Sequence, residues 1–229
     1  IRILSAGPAA TPAALAGYHF RPPYGWMNDP NGFGRFGGRV HLCYQHYPHR
    51  ARWHAMHWGH AVSDDFIRWR HLPIFLEPGD AVMAANGAGG IFSGSAIAVP
   101  GESGFRAFFT DHLDGRQPEM EVQRMARSED GITAGASLVV LSGRPDGFGE
   151  DNRDPYVFKG PDGLYVLQIN ATSDESQGHE LFEALDRLEM RLGQLRGGHV
   201  FDAREFLEYR RGEVDTVSLA FRLGHRAER

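Results

Sequence analysis

Trp26-Met27-Asn28-Asp29-Pro30-Asn31-Gly32 is the most informative stretch of this chain. Its centre, Asn28-Asp29-Pro30-Asn31-Gly32, is turn chemistry by composition. Pro30 fixes its own φ and restricts Asp29 to extended geometry, and Gly32 permits a positive φ. One carboxylate is therefore expected to be held still among amides, behind an aromatic residue. Those groups suit a sugar, because amides match hydroxyls and an aromatic face covers the apolar side of a ring. A surface β-turn that happens to follow a tryptophan accounts for the same residues, so the decision falls on what accompanies them.

The companion is Asn152-Arg153-Asp154-Pro155, a second carboxylate set in front of a proline. An arginine beside an aspartate stabilises its ionised form, so Asp154 is expected to have a lowered pKa and to stay charged at neutral pH. The two motifs lie in a chain built for short strands. Its 29 glycines and 13 prolines supply many turns, and Val40 to Tyr44 and Leu164 to Ile169 read as strands. At 229 residues, with 41% hydrophobic and 11% aromatic content, the chain can bury one sizeable core, and one domain is the natural count.

Charge and composition narrow the partners. A formal net charge of −5 argues against nucleic acid or an anionic membrane, both of which reward a basic surface. A neutral small-molecule substrate asks for no such steering, and oligomeric state is open. Cys43 is the single cysteine, which rules out an internal disulfide framework and fits a cytoplasmic protein. The chain begins at Ile1, and removal of a leader would instead make it secreted or periplasmic. His41, His46, His49, His54, His57 and His60 crowd within twenty residues, yet none shows a His-Glu-x-x-His spacing, so neither metal nor cofactor is expected. Gly87, Gly89 and Gly90 read as a loop before a strand at Ile91, since no Lys-Ser/Thr follows to make a phosphate cradle.

Taken together, Trp-Met-Asn-Asp-Pro-Asn-Gly, then Phe92-Ser93-Gly94-Ser95-Ala96, then Arg153-Asp154-Pro155 resemble glycoside hydrolase family 32, which holds invertases, fructan exohydrolases, inulinases and levanases. The intervening His57-Trp58-Gly59-His60-Ala61-Val62-Ser63, with Trp69, His71, Leu72 and Pro73, is similar to the family's first blade, and Gln123, Met125 and Ala126 to its second. The likeness runs from about His19 to about Gln168. It implies an all-β fold, a five-bladed β-propeller of the family 32 type, here incomplete and without the C-terminal β-sandwich. Residues 1–18 are then a lead-in and 19–229 the propeller domain, with 180–229 a divergent or truncated part.

The resemblance also implies a reaction, retaining hydrolysis of a β-fructofuranosyl bond in sucrose or short fructans. Asp29 would be the nucleophile and Asp154 the transition-state stabiliser. Asn28, Gln45, Trp53, Phe92, Ser93 and Arg153 would line the fructose subsite, although Trp53 and Phe92 serve equally well as core aromatics. The family's acid/base glutamate sits in Glu-Cys-Pro-Asp, a motif missing here. Glu205 stands at the expected distance, 51 residues after Asp154, with Glu208 as the alternative. Two exposed acids on an arginine-rich segment account for them just as well. Upstream, Leu181, Leu185, Leu188, Leu192 and Leu195 recur at helical spacing, which a propeller blade does not call for. Two functions therefore stand side by side: a β-fructofuranosidase, and a non-catalytic propeller that keeps the sugar pocket without a competent acid/base. An inverting five-bladed glycosidase acting on arabinose or xylose is a further alternative, against which the first motif speaks.

Overall fold

A computed structural model describes residues 19–116, 120–142, 148–159, 165–173 and 216–221. Within them the chain is a series of antiparallel meanders. The first sheet is β1 (Trp26–Phe36), β2 (Arg39–Tyr47), β3 (His57–Ser63) and β4 (Arg70–Leu76), in that spatial order. A short helix, α1 (Asp80–Ala84), leads to the second sheet, β5 (Gly89–Ile97), β6 (Phe105–Leu113), β7 (Glu121–Ser128) and β8 (Leu138–Leu141), again in sequence order. The third joins β9 (Phe148–Lys159), β10 (Tyr165–Ser173) and β11 (Thr216–Phe221). The first strands of successive sheets are neighbours, β1 beside β5 and β5 beside β9. This is the radial repetition of a propeller, in which innermost strands line a common axis.

Strand periodicity explains how the sheets pack. On β6, Phe105, Ala107 and Phe109 join Phe36, Cys43, Trp58 and Phe75 in the seam with the first sheet. The alternate residue Phe108 turns the other way, into a cluster with Met125, Val157, Tyr165 and Leu167 that welds the second sheet to the third. Side chains on this second face pair across β6 and β7 in the order Phe108 with Met125, Thr110 with Gln123 and His112 with Glu121. The apolar pair sits in the core, and the two polar pairs above it approach β9.

Two expectations need correction. The Asn28–Gly32 segment is not a surface β-turn but an irregular stretch inside β1, whose pairing with β2 shifts register between Met27 and Pro30 and again between Asn31 and Gly34. Pro30 is tolerated because β1 has only one hydrogen-bonded neighbour in its sheet. Gly32 does take a positive φ, 50°, and a Cβ there would press on the Trp58 ring at 3.3 Å. Likewise, Gly89 and Gly90 belong to β5 itself rather than to a loop before it. Both have positive φ, and a Cβ on Gly90 would strike the Met56 backbone, which donates to the Gly89 carbonyl and accepts from Ile91. The 181–195 leucine repeat lies outside the described residues. Within 180–229, β11 is described, and it joins the third sheet by pairing with β10.

Burial of histidines makes stability pH-dependent. His57 and His60 are 7% and 0% exposed, and burial, offset only in part by hydrogen bonds, holds both at about 4. An unfolded chain takes up these protons near pH 6.5 and the folded one does not, so stability is full above about pH 6.5 and declines toward pH 4. The loss expected is about 2–3 kcal/mol per histidine, offset in part by His112, whose pKa is raised. Denaturant midpoints at pH 7 and pH 4.5 check this, and an unchanged midpoint contradicts it.

Candidate active site

The three motifs of interest all fall on bulges in first strands. Asn28 and Asp29 occupy the register shift of β1, Phe92 and Ser93 that of β5, and Asp154 and Pro155 that of β9. A bulge releases residues from the ladder and re-aims their side chains, and on three adjacent inner strands it turns them toward one another. The Ser93 hydroxyl donates to Asp29 Oδ2 at 3.0 Å, bridging β5 to β1. Just beyond, one residue along β5 and two along β1, Gly94 N–H donates to Asn31 Oδ1 at 3.2 Å. From behind, Gln45 Nε2 donates to the Ile91 carbonyl at 2.9 Å and Trp58 Nε1 to the Phe92 carbonyl at 3.0 Å. The β5 bulge is thus clamped by side chains of the first sheet.

Asp154 is mounted more rigidly still. Its φ is 60°, a left-handed conformation that costs a non-glycine residue about 1–2 kcal/mol and that a following proline does nothing to favour. Neighbouring side chains over-determine the strained conformation. Asp154 N–H donates to Thr110 Oγ at 3.1 Å, Gln123 Nε2 to the Asn152 carbonyl at 2.6 Å, and Ser95 Oγ to the Pro155 carbonyl at 2.9 Å while accepting from Val157 N–H at 2.8 Å. Strain held in place this way is a recurrent property of functional sites.

The electrostatics also differ from expectation. The pKa of Asp154 is raised, not lowered: burial is the largest cause, Arg153 opposes it, and the negative charges of Asp29, Glu121 and Asp151 reinforce it. Arg153 fails to hold the value down because its guanidinium is engaged elsewhere, with Glu121 at 2.9 Å and with Asp151. β5 links the strands that carry Asp29 and Asp154, Ser93 bonding Asp29 and Ser95 the carbonyl of Pro155.

The remaining candidates distribute as follows. Trp53 is 46% exposed and meets Phe92 edge to face at 6.2 Å, which makes it a rim aromatic and not a core one. Phe92 is half-buried and stacks flat on His112, centroids 4.2 Å apart. Asn28 accepts from Trp26 Nε1 at 2.7 Å. Gln45, 2% exposed, sits behind the β5 bulge. Glu205 and Glu208 lie outside the described residues. Sequence reasoning passed over Glu121, His112 and Thr110. Their signal was period-two alternation, which sets Thr110, His112, Glu121 and Gln123 on the face of β6 and β7 that otherwise carries Phe108 and Met125.

Successive antiparallel sheets whose bulged inner strands converge on two carboxylates define a β-propeller with a polar axial site. The chain belongs to glycoside hydrolase family 32: the model of the Glycosyl hydrolases family 32 N-terminal domain matches residues 19–194. It is 45% identical over 155 residues to a sucrose-6-phosphate hydrolase of Escherichia coli, covering 66% of this chain and 31% of that protein. It is 41% identical over 155 residues to a levanase of Bacillus subtilis, covering 62% of this chain and 20% of that one. Among solved structures, the Bombyx mori family 32 β-fructofuranosidase BmSUC1 superposes with a TM-score of 0.59 at 34% identity, over 72% of this chain and 34% of BmSUC1. The chain spans about a third or less of the length of these relatives.

Proposed function

We propose that the protein is a retaining glycosidase that removes terminal β-D-fructofuranosyl residues from sucrose or short fructans. The observation that supports this is the β5 bulge, whose Ser93 hydroxyl bonds Asp29 on the β1 bulge and whose neighbour Ser95 bonds the carbonyl of Pro155, beside Asp154 on the β9 bulge. Ser93 engages Oδ2, which leaves Oδ1 of Asp29 to attack the anomeric carbon. The bond to the leaving-group oxygen breaks as that oxygen takes a proton from the acid/base, which we assign to Glu205, with Glu208 as the second candidate. The fructosyl-Asp29 ester then yields to water, deprotonated by the same glutamate, and the product keeps its configuration.

Asp154 does not react. Its carboxylate accepts hydrogen bonds from the sugar hydroxyls and stabilises the positive charge that develops as the ring flattens. Trp53 and Phe92 form an aromatic wall, Arg153 and Asn28 supply polar contacts, and Gln45 acts through the β5 bulge it holds. This chemistry calls for no metal and no cofactor. The names of the relatives, a sucrose-6-phosphate hydrolase, a levanase and a β-fructofuranosidase, support a hydrolase of sucrose or fructans.

Proton NMR of sucrose turnover tests the proposal. Release of glucose together with β-fructofuranose as the first-formed anomer is expected. Binding of sucrose without release would favour the non-catalytic sugar-binding propeller, and the α anomer would replace the retaining route with an inverting one.

A further inference from the structure

Glu121 is a carboxylate 3% exposed in the second sheet, and the reaction as proposed gives it no part. Burying a charge costs several kcal/mol unless its partners compensate, so what it binds is informative. It accepts from the backbone N–H of Asn152, from Arg153 Nη1 at 2.9 Å and from His112 Nδ1 at 3.2 Å. His112 in turn bonds Asp114 through Nε2 at 2.6 Å, and its ring lies parallel to that of Phe92, 4.2 Å between centroids and 7° between planes. Two contacts of this pair, with Arg153 and with Phe92, lead to residues assigned to the proposed fructosyl pocket. A continuous path runs from Phe92 on the β5 bulge through His112 and Glu121 to Arg153 on the β9 strand.

The adjacent cross-strand pair shows what bracing alone requires. Thr110 and Gln123 hold the backbone of Asp154 and Asn152 with neutral groups, at 3.1 and 2.6 Å. A neutral pair at the next position would brace Asn152 as well, without a buried charge. What a carboxylate adds is grip on a guanidinium, whose planar fork it fixes in direction.

We propose that Glu121 and His112 are a positioning pair for the fructosyl site: Glu121 aims the Arg153 guanidinium, and His112, held by Glu121 and Asp114, sets the plane of Phe92. This rests on the fructosidase reading above. Neither residue touches the reacting atoms, so their effect appears in turnover through the placement of others.

Steady-state kinetics on sucrose at a temperature well below unfolding test the pair. Glu121→Gln, which keeps shape and removes charge, is expected to lower kcat about 10²-fold with KM changed less than about threefold, and His112→Gln about tenfold. In an Arg153→Ala background, already slow, Glu121→Gln is expected to cost no more than about twofold further, because it acts through the arginine. A merely structural Glu121 would instead multiply the two losses. Turnover within twofold of the parent for both variants, or multiplicative losses in the cycle, overturns the inference while the fructosidase reading stands. If Glu121→Gln fails to fold, His112→Gln decides alone, and its parent-like turnover overturns the pair. A parent that cleaves no fructoside removes the reading and the inference with it.

Discussion

Asp29→Asn is expected to lower kcat for sucrose hydrolysis by about 10⁴-fold or more, with substrate binding largely retained. An amide of the same shape cannot form the glycosyl ester, so the loss is that of the covalent route itself. The surroundings indicate that the variant folds. Asp29 is exposed, its strand is anchored through Asn31 to Gly94, and its side-chain hydrogen bond from Ser93 is one that an amide oxygen accepts equally well. Retention of the parent's thermal midpoint together with loss of turnover separates chemistry from folding. A variant with more than about a hundredth of the parent's kcat would remove Asp29 from the nucleophile's role.

Asp154→Asn is expected to cost about 10²–10³-fold in kcat, the scale of losing one preorganised electrostatic partner of a transition state. Its effect should exceed that on KM, because the carboxylate gains most as the ring becomes cationic. A pH signature accompanies it. Burial and the neighbouring negative charges raise the pKa of Asp154, so protonation begins at a higher pH than for an ordinary aspartate. Activity should accordingly fall on the acid side at a pH above the usual carboxylate value, and the Asp154→Asn profile should lack that limb. An unchanged acid limb in the variant would assign the titration to another group. A kcat unaffected by the substitution would exclude Asp154 from the reaction.

The first motif was legible in the sequence because it combines uncommon residue types in one short run, and neighbouring strands, Val40 to Tyr44 and Leu164 to Ile169, could be read from alternation. What escaped was the geometry that a bulge imposes. Asn28 to Gly32 has the composition of a turn, and only its pairing with β2 turns the same residues into a strand with two register shifts. Asp154 shows the same limit. Pro155 disfavours a left-handed residue before it, yet hydrogen bonds with Thr110, Gln123 and Ser95, distant in sequence, fix φ at 60°. The charge state failed for a related reason. Arg153 is adjacent to Asp154 along the chain, but in space its guanidinium belongs to Glu121, a residue 32 positions away whose burial no local pattern announced. Tertiary partners overrode nearest neighbours at each of these points, and each lies at the candidate site, where local rules are most often set aside.

Trapping the intermediate tests the central claim most directly. The purified protein turning over sucrose is quenched in acid, digested and mapped by mass spectrometry for a peptide carrying one anhydrohexose. The adduct is expected on Asp29, in the peptide that contains Trp26 to Gly32. An adduct on Asp154, or sucrose turnover that proceeds with inversion and leaves no adduct, would contradict it.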